Sequence, residues 1–317
     1  VSGACGPVTW NVPEAEREHW VTTRTSGRPD LHARLVALQT ADRQSTIQTG
    51  GAMSAVHVEA TPDRIGAYKI TGLIGRGGMG SVYRGERDAG DFTRTVAIKV
   101  IKAGLFSPEV VRRFQSERQT LATLTHPNIA ALYDGGETEA GSPYIVMEFV
   151  DGAPLLRWAE QTHPARDQRL RIFLDMCGAV AFAHARLIVH RDISTANVLV
   201  TEAGIAKLID FGIAKPADEG VTPADGAAAA MTVTPGYTAP ERLRSTQVTT
   251  AADIFSLGRL LDEFLQPGAN EHELRAIVRR ATADDPAQRY ASVDALVADL
   301  NALRANRPVA AFSASRR

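Results

Sequence analysis

The sequence predicts an α+β chain in which a strand-rich part precedes a mainly helical part. Three observations predict it. From Tyr68 to Val100 short apolar runs alternate with turns, one of them Gly-rich and one at Asp88-Ala89-Gly90-Asp91, as in an antiparallel meander. From Arg166 to Arg186 the apolar residues Leu170, Phe173, Leu174 and Cys177 recur at helical spacing. Between these halves and the C-terminus, two β-type runs, Ile188-Val189 and Val198-Leu199-Val200, bracket a cluster of polar residues.

The chain has 317 residues, 44% of them apolar, enough to bury a sizeable core. Lys and Arg number 35 against 36 Asp and Glu, a net charge of -1, so no overall basic field points to nucleic acid or an anionic membrane. Two cysteines, Cys5 and Cys177, make no disulfide framework, which fits a reducing cytoplasm, and Cys177 reads as a buried small hydrophobe. No apolar run reaches the roughly 18–20 residues that cross a bilayer, and no membrane segment is expected.

In chain order, residues 1–42 read as an N-terminal helical segment. A first helix starts near Asn11, Pro13 and Glu14; after Ser26-Gly27-Arg28-Pro29, Asp30 caps a second with Leu31, Leu35 and Leu38 on one face. Its role is open between a packing element and a regulatory one. Residues 43–62 are Ser-, Thr-, Gly- and Ala-rich, a linker by composition, and the main domain is expected over 63–305, followed by a loose basic tail, 306–317. The segment Glu109 to Thr123 has helical periodicity with Pro108 near its start. Tyr144 to Val150 is a buried strand running into a turn at Asp151-Gly152. A last helix, capped by Ser292, carries Val293, Leu296, Leu300 and Leu303 on one face.

The chemistry lies in His190-Arg191-Asp192, then Asn197, then Asp210-Phe211-Gly212. Phosphoryl transfer needs a carboxylate beside the attacking hydroxyl and oxygen ligands that hold Mg²⁺ on the phosphates, which Asp192, Asn197 and Asp210 can supply. An isolated Asp-Phe-Gly is an ordinary turn in most proteins. Here it follows Ile74-Gly75-Arg76-Gly77-Gly78-Met79-Gly80-Ser81-Val82 and Val96-Ala97-Ile98-Lys99, and precedes Ala239-Pro240-Glu241. That series, in that order, resembles the protein-kinase signature set. With His126-Pro127-Asn128-Ile129 it is most similar to the bacterial Ser/Thr kinases of eukaryotic (Hanks) type, over roughly residues 64–305.

The resemblance implies a two-lobe protein-kinase fold: a five-stranded antiparallel small lobe (about 63–147) with one helix, and a mainly helical large lobe (about 152–305). It implies a cytoplasmic enzyme that transfers the γ-phosphoryl of Mg-ATP, with Mn²⁺ as an alternative metal, to Ser or Thr hydroxyls of protein substrates and of itself in trans. Asp192 would be the base; Asn197 and Asp210 would hold metal; Lys99 would meet the α/β-phosphates, held by Glu117, with Glu109 the rival acid. Residues 74–82 would cover the phosphates, Val82 and Ala97 would sandwich adenine, Leu199 would close the floor of its pocket, and Met147 would guard the back. The Glu148 carbonyl and Val150 amide would hydrogen-bond adenine. By resemblance, Leu121, His190 and Phe211 would stack between the lobes, Asp253 would anchor the catalytic loop, and Arg289 would pair with Glu241. Thr234 matches the threonine beside the base, leaving Thr222 and Thr232 as sites for regulatory phosphorylation, with Arg191 as the phosphate's partner.

Two departures stand out. The family places Lys two residues after the catalytic Asp, where this chain has Ser194, and a hydroxyl cannot neutralise a transferring phosphoryl group. Between Leu265 and Leu274 there are only eight residues, where the family has a further helix and long loops. Both motivate an alternative, a nucleotide-binding pseudokinase scaffold, and the second also a kinase for a small acceptor.

Overall fold

The computed structural model describes residues 61–77, 80–88, 93–101, 121–211, 234, 236–243, 249–269 and 271–314. The helical segment 1–42, nearly all of the linker, most of the helix from Glu109 including Glu117, and Gly78, Met79, Gly212, Thr222 and Thr232 lie outside the described residues.

Strands β1 (Arg64–Ile65), β2 (Tyr68–Gly77), β3 (Gly80–Asp88), β4 (Thr93–Ile101), β5 (Leu132–Glu137) and β6 (Pro143–Glu148) form one antiparallel sheet in the order β1-β2-β3-β4-β6-β5. The sixth strand, absent from the sequence expectation of five, is the two-residue β1. It turns back through Gly66 at φ 56, where any Cβ would collide with the Tyr144 hydroxyl. The centre of β4 is apolar without interruption because it is covered on both faces. Val96 and Ile98 pack with Tyr68, Tyr83, Tyr144 and Val146 on one face; Ala97 and Ile101 pack with Ile145, Met147 and Val82 on the other.

The large lobe holds α1 (Leu155–Thr162), α2 (Arg166–His184), α3 (Thr250–Leu265), α4 (His272–Ala281), α5 (Val293–Arg304) and α6 (Ala310–Ala314), with a second sheet of β7 (Gly152–Pro154), β8 (Val198–Thr201) and β9 (Ala206–Leu208). Along α2, Leu170, Phe173, Met176, Cys177, Val180 and Ala183 are buried at steps of three and four, the stripe that faces the core. Helix α3 is buried almost all round and is the centre of the lobe. Burying a side chain such as Phe173 or Phe264 contributes about 2–3 kcal/mol. Ser292 accepts the Ala295 N–H at 3.2 Å and caps α5.

The short link from α3 to α4 is held by arginines. Arg169 donates to the Phe264 carbonyl at 3.1 Å and Arg166 to that of Leu265 at 3.4 Å, satisfying carbonyls that a helix end leaves open. The reading of 306–317 as a loose tail requires correction. Val309 and Ala311 are buried in the core of the lobe, and Asp299 accepts the N–H groups of Ala310 and Ala311 at 2.8 and 3.0 Å. Five residues are too few to display a helical period, so the pattern of the sequence stops at α5. Among the described residues no helix is long and apolar enough to cross a membrane.

Candidate active site

The site is built where β8 and β9 meet the loop that follows α2. Asp253, buried in the first turn of α3, accepts the N–H of His190 at 2.7 Å and that of Arg191 at 2.9 Å, with His184 Nε2 at 2.8 Å. These bonds hold Arg191 at φ 70, a left-handed conformation that L residues keep only when the surroundings impose it. The chain then presents Asp192 to one side of a short 3₁₀ turn, Thr195–Asn197.

Asn197 Nδ2 donates to the Asp192 carbonyl at 2.9 Å and to its Oδ2 at 3.0 Å. Thr234 Oγ1 donates to Asp192 Oδ1 at 2.7 Å, so both carboxylate oxygens are oriented. The N–H of Ile209 bonds the Asn197 carbonyl at 3.0 Å, which brings the following Asp210 to the same place. Asp210 stands at φ 57, and its Oδ2 lies 2.8 Å from Lys99 Nζ on β4. Thus Lys99, Asp192, Asn197 and Asp210, spread over more than a hundred residues, converge. Glu117, the expected partner of Lys99, lies outside the described residues.

His190 is fully buried, its ring 4.4 Å from that of Phe211, and its Nδ1 accepts the Asp192 N–H at 3.3 Å. Burial pushes its pKa below the ordinary value, against the pull of Asp253, Asp192 and Asp210. A neutral packed imidazole results, with a positioning rather than a proton-transfer geometry. Leu121 and Phe211 are buried in one cluster.

Above this group, Val82, Ala97 and Met147 belong to one apolar cluster with Phe149, Leu132 and Ile145. Leu199 on β8 is half-buried, opposite Pro154, and Val150 is buried. Ile74 is half exposed; Gly75 and Gly77 have open space where a side chain would stand. Arg76 is exposed and Ser81 half-buried along the same hairpin. Gly80 serves a different need from its neighbours: a Cβ there would strike the Val100 carbonyl of β4.

Sequence reasoning missed the side chain of Glu148. It accepts the Ala131 N–H at 3.1 Å and pairs with Lys207 of β9 at 2.6 Å, joining the strand before the hinge to the large lobe. Lys207 was readable only as a polar residue between buried Ala206 and Leu208. Also missed was the chain of contacts from Thr195 to the Tyr237 hydroxyl, 3.0 Å, and from Tyr237 to Glu263. Burial raises the Glu263 pKa above the ordinary value.

Residues 68–289 match the family model described as the protein kinase domain. The chain belongs to the protein kinase family. Among its curated relatives are bacterial serine/threonine kinases, including a probable serine/threonine-protein kinase of Streptomyces coelicolor, 35% identical over 291 residues, which covers 80% of this chain and 42% of the relative, and the serine/threonine-protein kinase PknB of Mycobacterium leprae, 34% identical over 274 residues, 76% of this chain and 43% of the relative. This kinase chain therefore spans less than half the length of the curated relatives it matches. The crystal structure of the Mycobacterium tuberculosis PknI kinase domain superposes with a TM-score of 0.59 at 28% identity, covering 80% of this chain and 99% of that one. Its two-lobe architecture is that of this kinase: an antiparallel sheet first, helices after.

Proposed function

We propose that this kinase transfers the γ-phosphoryl group of Mg-ATP to Ser or Thr hydroxyls of proteins, with Asp192 as the base. The observation that carries the reading is the convergence of Asp192, Asn197, Asp210 and Lys99 on one point, with Asp192 oriented through both oxygens. The donor set fits a divalent cation. Asn197 commits its Nδ2 to Asp192, which leaves Oδ1 for the metal, and Asp210 adds a carboxylate whose present partner is the Lys99 ammonium. Bound Mg²⁺ would supply charge neutralisation at the phosphates.

The chain's own residues do the rest. Asp192 orients the acceptor hydroxyl and takes its proton, while Thr234 and Asn197 fix the carboxylate. Lys99 leaves Asp210 to meet phosphate oxygens, with Glu117 as the acid that receives it. The apolar walls from Val82, Ala97, Met147 and Leu199 suit a flat base, and the hinge backbone at Glu148 and Val150 offers it hydrogen bonds. Trans-autophosphorylation at Thr222 or Thr232, action on other cytoplasmic proteins, and use of ATP belong to this proposal.

The test is phosphate incorporation from labelled Mg-ATP into the purified chain and a generic protein substrate, beside Asp192→Asn, with phosphoamino-acid analysis. Label on Ser or Thr that disappears in the variant is expected. Tight ATP binding without label would favour the second reading, a nucleotide-binding scaffold. Ser194 motivates that reading: buried to 2% exposure, it presents no cation to a phosphoryl group.

A further inference from the structure

Arg242 follows Glu241 in the 3₁₀ turn Pro240–Leu243, at the end of the segment that began at Asp210. Glu241 turns to Arg289, but Arg242 turns the other way. Its Nη1 donates to the Arg191 carbonyl at 2.6 Å, across a separation of 51 residues. This carbonyl belongs to the peptide group that joins Arg191 to Asp192. The other end of the same peptide, the Asp192 N–H, donates to His190 Nδ1 at 3.3 Å. The preceding N–H, of Arg191, is held by Asp253.

We propose that Arg242 is a positioning residue for the reaction: it clamps the peptide before Asp192 and ties the direction of the base to the end of the activation segment. The proposal rests on the reading of Asp192 as the base. Of these three bonds on two consecutive peptides, the one from Arg242 comes from outside α3 and the loop itself. Without it, Arg191 keeps its left-handed φ of 70 and the Asp253 bond on its N–H, while the next peptide loses the guanidinium from its carbonyl. That peptide is then held by the longer 3.3 Å bond from the Asp192 N–H to His190, and rotation about it swings Asp192 away from Thr234 and Asn197. Arg242, Arg191, Asp192, Thr234, Thr238 and Asp253 line one small cavity, which places the half-buried Arg242 beside the base. Its charge also helps hold the Glu241 carboxyl ionised, which keeps the neighbouring anchor in place while Arg242 faces the loop.

The experiment compares the wild type with Arg242→Met and Arg242→Lys. Met keeps the aliphatic length without a donor; Lys restores a donor at similar reach. Steady-state kinetics are expected to show kcat about 10- to 100-fold lower in R242M with KM for ATP unchanged, since misplacement of a base by about 1 Å has that effect. R242K is expected to recover part of the loss. Amide hydrogen exchange, which needs no activity, is expected to be at least about tenfold faster at Arg191 and Asp192 in R242M, with protection along α3 retained. Unchanged exchange at Arg191 and Asp192 would overturn the proposal, as would a fall in kcat matched by faster exchange throughout α3 and no recovery with Lys. A wild type that transfers no phosphate would defeat the proposed function instead, and the exchange comparison would still decide the role of Arg242.

Discussion

The guanidinium of Arg289 meets the Glu241 carboxylate through two parallel bonds of 2.7 Å, and the arginine side chain is fully buried. Its remaining donors reach the carbonyls of Ala283, Ala251 and Asp284 at 2.8, 2.8 and 3.2 Å. Bidentate geometry with every donor used is the condition under which a buried pair holds its place. Removing the carboxylate by Glu241→Ala leaves that cation buried and uncompensated, and is expected to destabilise the domain by about 3–5 kcal/mol in urea unfolding.

The same pair sets a pH dependence. Burial pushes the Glu241 carboxyl up, but the Arg289 bonds and charge, with Arg242, outweigh it and hold it below its ordinary value. Its folded pKa is thus below its unfolded one, so the unfolded chain binds more protons in acid. The stabilisation is complete above the ordinary glutamate value of 4.5 and is lost as pH falls through the folded one. Unfolding measured from pH 7 into this range should show that loss in the wild type and a shallower one in Glu241→Gln.

Thr234 donates directly to Asp192 at 2.7 Å. A hydrogen bond to a charged group contributes about 1.5–3 kcal/mol. Thr234→Ala should therefore lower kcat by about 10- to 100-fold, whereas Thr234→Ser, which keeps the hydroxyl, should stay within a few-fold of wild type. Equal losses in the two variants would remove the hydroxyl from the account.

Lys99 and Asp210 neutralise each other across 2.8 Å. Asp210→Asn removes the proposed metal ligand as well as the partner of the lysine, and phosphate incorporation should fall by at least about 100-fold. Raising Mg²⁺ should not restore the wild-type rate. Titration of incorporation against Mg²⁺ in both proteins checks this.

Leu187 is 94% exposed and sits at φ 61. It forgoes burial and adopts a backbone region that costs an L residue about 1–2 kcal/mol. Glycine enters that region without the steric cost, although it gives up more chain entropy on folding. Leu187→Gly is expected to stabilise the domain by about 0.5–1 kcal/mol in urea unfolding.

The motif residues were legible because phosphoryl transfer demands particular side chains at narrow spacings. Asp192 and Asn197 are five apart, and the strand pair that follows carries the chain to Asp210 in a few residues. Helices α2 and α5 were legible for a simpler reason, a buried stripe long enough to show its period. Asp253, Glu241 and Arg289 are ordinary charged residues in sequence; only the family resemblance gave them partners. Arg242 and Asp299 were not legible at all, since each binds backbone groups, whose positions leave no mark on residue type. Glu148 invited attention for its carbonyl, while its carboxylate closes an ion pair 59 residues away.

The seating of the last short helix has a practical meaning for anyone preparing this domain. Cutting the chain after residue 305, where the long helices end, would strip Asp299 of two of its three hydrogen-bond donors, leaving only the Tyr290 hydroxyl at 2.8 Å. It would also uncover the apolar floor now shielded by Val309 and Ala311. Such a truncated product would carry an acidic group in a greasy hollow and a ready seed for aggregation. A fragment that keeps these contacts extends at least through Phe312, which packs against the same core.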